Sequence, residues 1–207
     1  MPKLYYQGHG SYRISSDSGC VIYVDPFASS KQNSCNGAYD LPADLILVTH
    51  NHGDHNKTQL VTQKPGCVII TNKEALAGAR YNSFSVGGIE IQAVSAGNLL
   101  HNPKKCVGYL LVVDGVKIYA AGDTSKTSQM EALAAEDIDY CLLPGDGFFN
   151  MGLGESAECA ALINAKHNIP VHLKPGTLFD RGRAERWLAP NKLIVEPGEE
   201  INLKRRL

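Results

Sequence analysis

The chain of 207 residues carries 20 basic and 21 acidic side chains, for a formal net charge of -1. This near-neutral balance, with no basic stripe interleaved with aromatics apart from the terminal Lys204-Arg205-Arg206, gives no nucleic-acid footprint and leaves that end as a solvated tail. The length fits one domain over residues 1–207 that buries a substantial core, without room for a large second domain.

Met1-Pro2-Lys3-Leu4-Tyr5-Tyr6-Gln7 lacks the basic stretch and apolar core of a secretory signal. No later stretch is long and apolar enough to span a bilayer, so a cytoplasmic protein is expected. Residues 4–25 read as a hairpin, with the turn at Ser16-Asp17-Ser18-Gly19 and a buried strand at Cys20-Val21-Ile22-Tyr23-Val24. Residues 27–43 are polar and without apolar period, which predicts a long surface loop of the kind that often carries function. Strands are expected at 44–49 and 67–71, then a short helix over 72–77 with Asn72 as its cap.

Two tight hairpins follow, 83–86 with 89–94 across Gly87-Gly88, and 107–113 with 116–121 across Asp114-Gly115. Residues 127–135 predict a helix, 140–143 a buried strand, 155–166 a helix ending near His167, and 169–173 a strand. A short helix near 184–188 and a closing hairpin around Pro197-Gly198 complete the chain. Strand and helix alternation between antiparallel ends calls for sheets covered by helices, an α/β layered sandwich. Cys20, Cys35, Cys67, Cys106, Cys141 and Cys159 form no C-x-x-C pair and are expected to be reduced, mostly buried thiols.

The chemistry concentrates at Val48-Thr49-His50-Asn51-His52-Gly53-Asp54-His55, directly after the apolar run Leu45-Ile46-Leu47-Val48. Three of the chain's seven histidines fall within six residues. On an extended chain alternate residues point the same way, so His50 and His52 can present two nitrogens to one ion. Gly53 permits a reversal that turns Asp54 and His55 toward a second point beside the first. Each ion would still lack ligands, because a catalytic zinc takes three protein groups plus water. His101, Asp123 and His172 sit at the ends of predicted strands and are candidates. Taken singly, His101 reads equally well as a loop histidine, His172 as a satisfied core histidine, and Asp123 as a helix cap.

Together, these residues resemble the metallo-β-lactamase superfamily. Its H-x-H-x-D-H signature is met by His50, His52, Asp54 and His55, its next histidine by His101, its Gly-Asp-Thr by Gly122-Asp123-Thr124, and its late strand histidine by His172. Gly8-His9, Val24-Asp25-Pro26 and Glu196-Pro197-Gly198-Glu199 further resemble its small zinc-dependent hydrolase branch, which includes the ascorbate-6-phosphate lactonase-like proteins. The resemblance implies a four-layer αββα sandwich with mixed sheets and two divalent metal ions, zinc foremost, with manganese, iron or nickel as alternatives. One ion would be held by His50, His52 and His101, the other by Asp54, His55 and His172, with Asp123 between them. Asp25 either buttresses the ligand loop or caps the turn before Pro26. His9 either approaches the site or is a hydrogen-bonded strand histidine, and the latter is favoured.

Two such ions, about 3.5–4 Å apart, can share a water, lower its pKa and hold the hydroxide that attacks a carbonyl or phosphoryl centre. Asp54 would be the catalytic carboxylate, orienting the nucleophile and passing its proton to the leaving group. The expected partner is a small-molecule substrate, an ester, lactone or phosphoester. Phe148 and Phe149 are candidates for an apolar pocket wall, and Lys174 and Arg181 for holding a substrate anion. The competing reading is a diiron redox protein that reduces oxygen or nitric oxide. It is disfavoured because His52 stands where that branch has glutamate and because no flavodoxin-like domain follows.

Overall fold

The apolar runs fold into two six-stranded sheets in a computed structural model that describes residues 1–28 and 37–205. In chain order the elements are β1 (Lys3–Gly8), β2 (Ser11–Ser15), β3 (Val21–Val24), β4 (Ala43–Leu47), β5 (Gln63–Ile70), α1 (Asn72–Ala75), β6 (Ser83–Val86), β7 (Ile89–Ser95), β8 (Val107–Val113) and β9 (Val116–Ala120). They continue with α2 (Met130–Leu133), β10 (Tyr140–Pro144), α3 (Leu153–Ile163), β11 (His167–Val171), α4 (Arg181–Arg186) and β12 (Glu200–Asn202). The first sheet has the order β12-β1-β2-β3-β4-β5, and the second β11-β10-β9-β8-β7-β6. β3, β4 and β5 run parallel, as do β9, β10 and β11, so several strand carboxyl ends share one rim of each sheet.

Both faces of the central strands are buried, which is why they read as continuous apolar runs rather than alternating ones. From β3 and β4, Ile22, Val24, Leu45 and Leu47 point into the core between the sheets, against Ile91, Val107, Tyr109 and Ile118 of the second sheet. Their alternates Val21, Tyr23 and Ile46 face outward under Tyr39 and Val61. On the far side of the second sheet, α2 contributes Met130 and Leu133, α3 contributes Cys159, Ala160 and Ile163, and Trp187 fills the same cluster. The layering is the αββα sandwich that was expected, with the cover over the first sheet built from a turn and the 3-10 segment Thr58–Leu60.

Several local expectations are corrected. Residues 3–24 form three antiparallel strands, because Gly8-His9-Gly10 makes a second turn with left-handed backbone at Gly8 (φ 100) and His9 (φ 57). The helix expected over 127–135 is a single turn, α2, followed by a 3-10 turn at Ala134–Glu136 that stops at left-handed Asp137. α3 ends at left-handed Asn164, so His167 lies in β11, where its ring stacks on Tyr140 at 4.8 Å. α4 starts earlier than expected because Asp180 caps it through the Arg183 amide, 2.9 Å. The turn at Glu196–Glu199 leads to no hairpin partner of its own; β12 pairs with β1, Lys3 opposite Asn202. Cys35, Arg206 and the centre of the loop expected over 27–43 lie outside the described residues, and the five described cysteines are free.

Candidate metal centre

The rim where the strands end gathers the predicted ligand residues from both sheets. His50, His52, Asp54 and His55 follow β4; His101 follows β7, Asp123 follows β9 and His172 follows β11. Asp123 is delivered by Gly122 (φ 65), where a side chain would lie 3.0 Å from Thr49 Cβ and from the Val107 carbonyl oxygen, so only glycine lets the two sheets approach this closely.

Asp123 stands at the middle of the cluster. Its Oδ2 lies 3.2 Å from His101 Nε2, 3.6 Å from His172 Nε2 and 4.0 Å from His50 Nε2, and its Oδ1 lies 3.3 Å from His55 Nε2. His50 Nε2 is 3.1 Å from His52 Nδ1. On the other side, Asp54 Oδ2 is 3.1 Å from His9 Nε2, 3.9 Å from His172 Nε2 and 4.0 Å from His55 Nε2. The ligand atoms of His50, His52 and His101 lie within 4.8 Å of one another, as do those of His9, Asp54, His55 and His172. All seven predicted residues are therefore brought together.

The rings are oriented by what holds their other nitrogen. His50 Nδ1 is 3.0 Å from Thr49 Oγ1, whose proton goes to Asp25 Oδ2 at 2.6 Å, so the ring donates to the hydroxyl. His55 Nδ1 is 2.8 Å from Asp25 Oδ2, His172 Nδ1 is 2.9 Å from Asp146 Oδ2, and His101 Nδ1 is 3.2 Å from Asn98 Oδ1. For His50, His55 and His101 the partner is an acceptor that fixes the proton on Nδ1 and turns the Nε2 lone pair inward, the arrangement that metal-ligating histidines use, whereas His172 Nδ1 approaches Asp146 without hydrogen-bond geometry. The Nε2 atoms of His55 and His172 are buried without a hydrogen-bond partner. Buried polar atoms are rarely left so, and a cation at this point satisfies both. The set of imidazoles and carboxylates fits a borderline divalent metal.

The charge balance agrees. Burial lowers His50 to about 2 and depresses His52, with the neighbouring His55 and His101 respectively adding to the effect. Burial works against the charged forms of His55 and Asp123 as well, but each is offset by the other and by further partners. His55 is raised well above its usual value, while Asp123 stays well below the carboxylate range. His172 is raised in the same way against burial, by Asp123 and Asp146. Asp146, held by His172 and the Phe148 amide despite its burial, falls to about 2.

Three further residues belong to the centre. Asp25 holds His55 and also accepts the Thr49 amide at 2.7 Å, so it buttresses the ligand loop rather than capping Pro26. His9 is in a turn, not a strand, and reaches Asp54. Asp146 escaped the sequence reading, although Gly145-Asp146 at the end of β10 repeats the Gly122-Asp123 pattern at the end of β9.

The candidate substrate residues fare differently. Lys174 lines an open cleft of about 830 Å³ together with Phe27, Asp54, Lys57 and Thr177. A second cleft of about 350 Å³ is lined by His50, His52, Asn72, Leu100, His101 and Lys105. Phe148 and Phe149 are exposed and pack on each other beside the site, lining neither cleft; their amides instead donate to Asp146 Oδ1 at 2.6 and 2.8 Å. Arg181 is turned away from the site by ion pairs to Glu185 and Glu196.

Comparison with known proteins places these features in a family. Residues 3–172 match the profile of the beta-lactamase superfamily domain. A UPF0173 metal-dependent hydrolase of Thermococcus kodakarensis is 31% identical, covering 98% of this chain and 100% of the relative. Among solved structures, a metallo hydrolase of Ignicoccus hospitalis superposes with a TM-score of 0.76 at 20% identity, covering 99% of each chain. A zinc-dependent hydrolase fold of the same superfamily from Thermotoga maritima superposes with a TM-score of 0.61 at 24% identity, covering 91% of this chain and 87% of that one. The profile match and the full-length relative together establish that the chain belongs to the metallo-β-lactamase superfamily, among its metal-dependent hydrolases.

Proposed function

We propose that the protein uses two divalent cations to hydrolyse a small anionic ester, lactone or phosphoester. The observation that carries this reading is the pair of ligand groups meeting at Asp123, with three imidazoles held at Nδ1 and turned inward at Nε2 and the buried Nε2 of His172 left without a hydrogen-bond partner. His50, His52 and His101 would hold one cation and Asp54, His55 and His172 the other, Asp123 being shared; zinc is the first expectation. When bound, such a pair lowers the pKa of a water toward neutrality and places positive charge where a carbonyl or phosphoryl oxygen gains negative charge.

The chain's own groups do the rest. Asp54, with its side chain 40% exposed, is the one acidic group of the cluster that opens on the large cleft, so it can orient the attacking water, accept its proton and return it to the leaving group. Its carboxyl is held ionised, since the hydrogen bond from His9 and the charge of His55 outweigh its burial. Lys57 and Lys174 line the same cleft and would hold the anion of the substrate, with Phe27 as the apolar wall. The free thiols fit a reducing compartment and hence the cytoplasm. No described helix is long and apolar enough to cross a membrane.

The test is a panel of neutral and anionic esters, lactones and phosphodiesters offered to protein of measured metal content. Loss of the charge-assisted contact in Lys174→Ala should raise KM roughly tenfold for the anionic substrates and leave the neutral ones unchanged. Equal KM changes for both classes would remove the anionic-substrate assignment, and turnover by protein holding one cation would remove the two-cation one.

A further inference from the structure

We propose that His9 is itself a ligand of the second cation, joining Asp54, His55, His172 and the shared Asp123. The inference rests on the two-cation reading and adds to it an imidazole from the turn between β1 and β2, outside the seven residues that the signature supplies.

Geometry leads to it. His9 Nδ1 lies 3.1 Å from the Thr177 carbonyl oxygen, which fixes the ring and aims Nε2 at Asp54 Oδ2, 3.1 Å away. A cation can take the place of the hydrogen between these two atoms. Their separation suits two neighbouring ligands of one ion, each about 2.0–2.2 Å from it. The ligand atoms of His9, Asp54, His55 and His172 lie within 4.8 Å of one another, and the Nε2 atoms of His55 and His172 have no other partner.

The backbone supports the same role. His9 adopts φ 57, a conformation rare outside glycine, and shares it only with seven other non-glycine residues among those described. Two of these, Asp25 (φ 45) and His172 (φ 46), serve the same centre. The turn is clamped in place: His9 accepts the His172 amide at 2.8 Å and the Tyr6 hydroxyl at 2.8 Å. Its ring packs on that of His172 with centroids 3.7 Å apart. A side chain at Gly10 would come within 2.9 Å of His55 Cε1, so the turn is pressed against the ligands rather than passing by them. Strained conformations held this firmly cluster at functional sites.

One variant, read in two ways, tests it. Asn tolerates left-handed backbone, and its amide reaches no farther than the position of Nδ1, so His9→Asn keeps the turn and removes the ligand. Chelator competition should show one cation weakened by about tenfold to a hundredfold or more and the other unchanged. In cobalt-loaded protein each ligating imidazole gives a hyperfine-shifted N–H proton resonance, and His9→Asn should lose one that the wild-type protein shows, a signal that mere support of the turn does not supply. Unaltered affinities for both cations, or the same number of shifted resonances in the two proteins, would overturn the proposal. A wild-type content of one cation would sink the two-cation reading instead, and the resonance count would still decide whether His9 ligates that ion.

Discussion

At the scale of single residues, the carboxylates behind the candidate ligands are expected to matter nearly as much as those among them. Asp25 accepts from the Thr49 amide and hydroxyl while facing His55 Nδ1, so one side chain sets both the ligand loop and a ligand ring. Asp25→Asn keeps the size but loses the charge that His55 needs, and metal affinity measured by chelator competition is expected to fall about 10- to 100-fold with the fold retained. An unchanged affinity would mean that Asp25 serves the loop alone. Asp54→Asn is expected to lower kcat by roughly 10²–10⁴, the usual worth of a positioned acid or base, whereas His167→Ala, stacked on Tyr140 at the opposite end of β11, should leave kcat and metal content alone. Of the seven clustered candidate ligands, His50, His52, Asp54 and His55 were legible from their spacing after a strand, whereas His101, Asp123 and His172 were ambiguous singly and were picked out only by the resemblance to the family's pattern. Thr49 and Asn98 were not legible, because an acceptor behind a ligand is defined by where a distant strand brings it, and Asp146 carries only the weak local mark of a Gly-Asp pair after a strand.

At the scale of elements, strands were legible and helices less so, for one physical reason. A strand in this sandwich is an apolar run closed by a glycine turn, and β6 and β8 fall at the expected residues. The helices are short and their limits are set by left-handed residues, Asp137 after α2 and Asn164 after α3, rather than by a change in apolar period. Their stability comes from tertiary cover. Trp187, fully buried beside α2 and α3, is the centre of that cover, so Trp187→Ala should cost about 3–5 kcal/mol in denaturant unfolding. Gly122 tests the approach of the sheets at the site. The alanine variant adds a Cβ 3.0 Å from the Val107 carbonyl oxygen at φ 65, and should cost about 1–3 kcal/mol and shift Asp123 enough to lower metal content. Normal metal content in a destabilised variant would show that the rim yields without moving Asp123.

At the scale of the whole molecule, the centre ties the two sheets together. His50, His52, Asp54 and His55 extend from the first sheet, and His101, Asp123 and His172 from the second, so a cation bound among them is a cross-link that unfolding must break. Binding to the native state alone, at a thousand times Kd, adds about 4 kcal/mol. For a chain of this size that raises Tm on the order of 10 °C. The gap should depend on pH in a defined sense. His55 and His172 have folded pKa values raised above the ordinary imidazole value, so in the metal-free protein their stabilising charge is fully present below about 6.5 and is lost as pH rises through the folded values. Metal needs the same Nε2 atoms unprotonated, so its affinity changes in the opposite direction, falling as those protons bind. Acid therefore strengthens the metal-free form relative to the loaded one. Thermal unfolding with and without chelator from about pH 8 to about pH 5 should show the difference in Tm shrink toward the acid end. A difference that stays constant across that range would mean that the cations are not held by the inward nitrogens of His55 and His172.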